Sequence, residues 1–138
     1  SCLVGSGDVY KRQCQMILNG GELDGVRVLS PVSVALMSTN VVPDAVLAVS
    51  SPLRLLPFNP AFGFGLDFAV ALDPRRIGMV EGRGTLSWGG GGGTWFWIDP
   101  ENDIVFVGMI QRMADPVSSE FRNRARTFVY QALTHPEK

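Results

Sequence analysis

The sequence predicts an α+β fold, an antiparallel β-sheet flanked by helices, and three observations predict it. Between residues 64 and 110 lie four extended apolar segments separated by turn formers, the pattern of an antiparallel meander. Helix signals bracket that stretch: Ser30-Pro31 near the start, and Phe121, Ala125, Phe128, Val129, Ala132 and Leu133 on one helical face near the end. The length, 138 residues, leaves room for one ordinary domain.

Residues 1–13, Ser-Cys-Leu-Val-Gly-Ser-Gly-Asp-Val-Tyr-Lys-Arg-Gln, have no clear period and fit poorly with the residues after them. They resemble the read-through translation of adapter sequence at the ends of assembled metagenomic reads. They read as a non-native leader, with a frayed native helix start as the alternative, and the domain is expected over 14–138. Cys14, Met16, Ile17 and Leu18 end a helix that Asn19-Gly20-Gly21 stops, because glycine accepts the left-handed C-cap conformation. Val26–Leu29 is short and extended. Ser30 then caps a helix with Pro31 at its first position, where the missing N–H costs nothing, and the helix runs out near Asn40. Prolines 43, 52, 57 and 60 mark a long irregular connection of the kind that walls a site or packs on another part of a larger molecule.

Phe64–Leu72 reads as the first strand, closed by Asp73-Pro74, and Gly84–Trp88 as the second. Thr94–Ile98 is the third and Ile104–Ile110 the fourth, joined by the turn Asp99-Pro100-Glu101-Asn102. The last helix begins after Asp115-Pro116. On the third strand Trp95 and Trp97 point one way while Phe96 and Ile98 point the other, and every position of the fourth is apolar or glycine. Both are built for burial on two faces. The final helix covers one face. The short helices at the start are meagre cover for the other, so the sequence predicts that part of the domain is missing upstream.

Lysine and arginine (12) balance aspartate and glutamate (13), so nothing draws the chain to nucleic acid or an anionic membrane. No apolar run approaches the roughly 20 residues of a membrane span. Cys2 and Cys14 make no disulfide framework and read as free thiols that say nothing of compartment.

A search for a nucleophile fails. No Ser-x-x-Lys or Gly-x-Ser-x-Gly occurs, the only lysines are Lys11 and Lys138, and the lone histidine, His135, reads as solvated near the C-terminus. Asp99, Glu101 and Asp103 read as a proline turn, since they lack the glycine and closing glutamate of a calcium loop. The run Gly89–Gly93 is the least ordinary feature. It is no phosphate loop, because a strand, Thr94-Trp95-Phe96-Trp97, comes after it instead of a lysine and a helix. Neither metal nor cofactor is implied. One reading is a flexible hairpin loop without function. The other is a strand edge ending at Trp88, beyond which glycine lets a substrate lie against backbone N–H donors able to stabilise an oxyanion.

Three segments carry a resemblance: residues 14–31, Gly-Phe-Gly-Leu-Asp-Phe-Ala-Val (63–70), and Ser-Trp-Gly-Gly-Gly-Gly-Gly-Thr-Trp-Phe-Trp-Ile-Asp-Pro-Glu-Asn (87–102). Together they resemble the C-terminal part of the serine β-lactamase-related family, and within it class C β-lactamases and family VIII carboxylesterases. The resemblance implies a β-lactamase/transpeptidase-like fold and three site boxes. The acylated serine and its lysine (Ser-x-x-Lys) and the proton-transferring tyrosine (Tyr-x-Asn) have no counterpart here and are expected upstream of Cys14. The third box, Lys-Thr-Gly in β-lactamases, looks like Trp88-Gly89-Gly90, the form common among esterase-like members. That match implies Trp88, Gly89 and Gly90 as substrate-binding residues and the N–H of Gly91 as one oxyanion donor.

Trp88 and Gly89 offer neither the charge nor the hydroxyl that holds a β-lactam carboxylate. The resemblance thus implies a C-terminal fragment of a serine hydrolase acting on small carboxylic esters through an acyl-serine intermediate, inactive by itself. β-Lactamase or penicillin-binding activity on a β-lactam-like substrate is the alternative within the family. A non-catalytic sheet module that binds a peptide along the Trp88 edge is the alternative outside it.

Overall fold

A single helix, α1 (Ser6–Leu18), opens the described chain and is stopped at Asn19 and Gly20, the latter at φ 67°. The computed structural model describes residues 5–47, 61–112 and 117–133. The helix reaches back past Cys14 to Ser6, so the sequence boundary at residue 13 falls inside it. Asp24 and Gly25, both at positive φ, form the tight turn of a small hairpin, β1 (Glu22–Leu23) and β2 (Val26–Arg27). Ser30 caps α2 (Pro31–Met37) as its sequence predicts: its hydroxyl accepts the Ser33 N–H at 3.0 Å. A one-turn helix, α3 (Asp44–Leu47), comes next. The proline-rich connection beyond it, at 48–60, lies outside the described residues, as do Cys2, Asp115-Pro116, His135 and Lys138.

The sheet is an antiparallel meander of five strands in chain order: β3 (Phe62–Phe64), β4 (Ala69–Ala71), β5 (Leu86–Gly89), β6 (Thr94–Asp99) and β7 (Ile104–Met109). The single strand expected over Phe64–Leu72 is therefore a hairpin. The Gly65 N–H turns back onto the Phe68 carbonyl at 2.8 Å, and a Cβ on Gly65 would run into the Met37 carbonyl. An apolar run interrupted by one glycine reads as continuous by alternation. The close approach of α2 to Gly65 is what breaks it.

The two faces of the sheet are closed differently. Leu86, Phe96, Ile98 and Val105 face α1 and α2, packing with Cys14, Ile17, Val34, Phe68 and Val70 into the main apolar core. Trp95, Trp97 and Asp99 face α4 (Val117–Gln131). β6 is buried on both sides as its sequence predicts, whereas most of β7 is half-buried.

The buried side of α4 is a correction. Phe121 and Phe128, placed on its apolar face by spacing, stand 46% and 67% exposed. The residues that reach the sheet are Arg122, Arg126 and Tyr130, with Ala125 and Val129 half-buried among them. The reason is geometric. Residues i and i+4 on a helix stand about 6 Å apart along its axis, and residues i and i+2 on a strand about 6.7 Å. Arg122 and Arg126 thus match Trp95 and Trp97, lying 5.7 and 5.5 Å from the ring centroids.

Candidate active site

The end of β5 is where the sheet opens. Ser87 is the last β5 residue paired on both sides, with Ala69 of β4 and Trp97 of β6. Trp88 and Gly89 pair with Phe96 and Trp95 of β6, and no β4 pairing continues beside them. β5 is an inner strand of the sheet, so the edge that the sequence places at Trp88 is confined to the unpaired β4 side of Trp88 and Gly89. The Trp88 indole is 38% exposed and meets the Phe64 ring edge-on at 5.1 Å. A shallow cleft of about 200 Å³ lies beside this edge, walled by Trp88, Gly89, Gly90, Thr94 and Phe96.

The five glycines are not equivalent. A Cβ on Gly89 would lie 2.6 Å from both terminal nitrogens of Arg122, and one on Gly90 2.9 Å from the Thr94 hydroxyl oxygen. Gly93 stands at φ 91°, and a Cβ there would meet the Ile110 and Arg112 carbonyls at 2.6 and 2.7 Å. Packing alone explains those three. Gly91 and Gly92 form the tip of the turn that the Gly93 N–H closes onto the Gly90 carbonyl at 3.2 Å. A Cβ on either would meet nothing within 4 Å, and neither has a positive φ. Their N–H groups donate to no acceptor among the described residues. Two donors without partners among the described residues and two glycines that packing does not require therefore sit together in the turn that joins two cleft-lining residues, Gly90 and Thr94.

The α4 face of the same strands carries a layer that motif reading missed. Gly89 of β5, Trp95 of β6 and Gly108 of β7 form one cross-strand row. The Trp95 ring lies across Gly108, and the Arg122 guanidinium lies across Gly89. One row further along, Trp97 stacks on Phe106 at 4.0 Å and Arg126 covers it. Arg126 has a counter-ion, the fully buried Glu81, at 3.6 Å. Arg122 is paired with no carboxylate among the described residues; burial, with Arg126 beside it, lowers its pKa. The one sequence signal for this layer is the match of helical i, i+4 arginines to strand i, i+2 tryptophans.

Asp99 anchors the far end of the layer. Its carboxylate accepts the N–H groups of Gly82 (2.8 Å), Glu101 (3.0 Å) and Asn102 (3.1 Å), the Asn102 amide, and the Tyr130 hydroxyl of α4. Burial, then the bond to Asp99, raises the Tyr130 pKa far above that of a free phenol.

The Beta-lactamase family model matches residues 23–131. The chain belongs to the Beta-lactamase family. Among curated proteins, Protein Rv1367c of Mycobacterium tuberculosis is 40% identical over 122 residues, covering 83% of this chain and 30% of its own length. Among solved structures, simvastatin synthase (LovD) from Aspergillus terreus superposes with a TM-score of 0.74 at 20% identity, covering 94% of this chain and 34% of that one. EstCE1, a hydrolase with promiscuous acyltransferase activity, superposes at 0.71 with 25% identity, covering 91% and 29%. The chain thus spans about a third of the length of these relatives. The family and the mixed fold with its antiparallel sheet agree with the sequence reading. No helix among the described residues is long and apolar enough to cross a membrane.

Proposed function

We propose that this chain is the oxyanion-binding part of a serine hydrolase that acts on small carboxylic esters through an acyl-serine intermediate. In this reading the N–H of Gly91 is one oxyanion donor, Trp88, Gly89 and Gly90 form one wall of the substrate cleft, and the nucleophile belongs to sequence upstream of Cys14. The observation that carries it is the pair of unpartnered N–H groups on the two glycines that packing does not require. The acyltransferase activity of EstCE1 supports the choice of reaction class. Trp88 and Gly89 bring no charge or hydroxyl to the cleft, which supports an ester over a β-lactam.

The test is a chimera in which residues 14–138 replace the matching segment of the Mycobacterium tuberculosis relative. Expected is hydrolysis of p-nitrophenyl butyrate that a serine-reactive fluorophosphonate abolishes. The 138-residue chain by itself is expected to hydrolyse it no faster than buffer. Gly91→Val, whose Cβ would meet nothing within 4 Å, should lower kcat by about 10²-fold or more. Undiminished turnover by that variant sinks the donor assignment, and turnover of nitrocefin in place of esters moves the reading to a β-lactamase. The open Trp88–Gly89 edge also favours one other reading, addition of a peptide strand, which peptide binding without any hydrolysis in the chimera would support.

A further inference from the structure

We propose that Arg122 supplies the positive charge of the glycine turn, making the end of β5 an electropositive pocket whose guanidinium stabilises an oxyanion through space. This rests on the turn being an oxyanion-binding element and adds to it the group that charges it.

The geometry places the charge at the strand end. Both terminal nitrogens of Arg122 lie where a side chain on Gly89 would have to go, two residues before Gly91. The Trp95 ring supports the guanidinium, whose carbon lies 5.7 Å from the ring centroid. A side chain at position 89 would push it away, so the glycine that ends the strand also admits the charge.

Arg126 provides the contrast. The two arginines sit one helical turn apart on equivalent tryptophans, yet among the described residues only Arg126 has a carboxylate, Glu81. Arg122 is partly desolvated, its Nε is buried without a hydrogen-bond partner, and its charged neighbour on α4 is another cation. Such a cation costs stability where nothing compensates it. An anion held at the Gly91 and Gly92 N–H groups compensates it, and feels one full charge in addition to two backbone dipoles. Among the described residues, the remaining charged groups around α4 and the turn are Glu120, which pairs with Arg124, and Arg112, whose carbonyl lies over Gly93.

A thiol placed in the turn reads this potential without any turnover. Gly91→Cys has room for its side chain, and in a Cys2→Ser background only Cys14 remains, buried and with its thiol pushed up to about 11. The pKa of the new thiol is measured from the pH dependence of its alkylation in the full 138-residue chain. Expected is a value of about 7.5–8, against about 8.5 for a free thiol. Adding Arg122→Met should return it to about 8.5, while Arg122→Lys should leave it lowered. An ordinary thiol before Arg122 is changed, or a lowered value that survives Arg122→Met and vanishes with Arg112→Gln, overturns the proposal. In the chimera, Arg122→Met should lower kcat for neutral esters about tenfold with KM little changed, and Arg122→Lys should recover most of it. A loss confined to KM for carboxylate-bearing esters also overturns it, making Arg122 a substrate contact. A chimera that hydrolyses no ester defeats the ester reading and leaves the thiol measurement to decide on the charge.

Discussion

The two faces of one sheet are closed by opposite chemistry. On the α1 side, Cys14, Ile17, Val34, Phe68, Val70, Leu86 and Ile98 make an apolar core of the ordinary kind. On the α4 side, two arginines lie on two tryptophans, and a tyrosine and a turn are tied to one buried aspartate. Apolar packing is non-directional and tolerates small shifts. The α4 face instead depends on particular groups meeting at particular distances, and it lies against the glycine strand end. The helix that closes this side of the fold therefore also sets the electrostatics of the candidate site.

Breaking the α4 side at its anchor should have the largest effect on stability. Asp99→Ala leaves three backbone N–H groups, the Asn102 amide and the Tyr130 hydroxyl without their acceptor. A loss of about 4 kcal/mol is expected in urea unfolding. A loss below about 1 kcal/mol would mean that α4 is held by its apolar residues after all.

The α1 side is probed by alkali. Burial raises the Cys14 thiol from 9.0 to about 11, so the folded state prefers the protonated form. That contribution is complete below pH 9 and is lost as pH rises toward 11. The expected loss is about 2 kcal/mol across that interval, absent in Cys14→Ala. Tyr130, raised in the same sense, adds to the decline only above about pH 10, so the α1 side is read by itself between about pH 9 and 10.

The smallest effects sharpen the division within the glycine run. Gly93→Ala forces a side chain into a positive-φ position against two carbonyls and should cost about 1–2 kcal/mol. Gly91→Ala should change stability by less than about 0.5 kcal/mol. Equal losses from the two would remove the case for Gly91 as a residue kept for its ligand.

Much of the fold is legible in the chain. The Ser30 cap, the Asp99 turn, the last three apolar segments and the double burial of Trp95–Ile98 are local signals, and the structure contains each. Gly65 and Phe128 show where local signals stop. The break at Gly65 depends on a carbonyl of α2, and the exposure of Phe128 depends on which face of α4 meets two tryptophans. Neither fact lies within one helical or strand period of the residue concerned. The family boxes led to Trp88-Gly89-Gly90 and Gly91, but no box contains Arg122.

The sequence by itself determined the helices α1, α2 and α4, the last three strands, the Asp99 turn and the special standing of Gly89–Gly93, because periodicity and turn chemistry act over a few residues. Only the tertiary structure decided which of those glycines packing requires and which lie free, and where charge reaches them. Those answers depend on cross-strand register and on the seating of α4, which bring Gly89, Trp95, Gly108 and Arg122 into one layer from four separate elements.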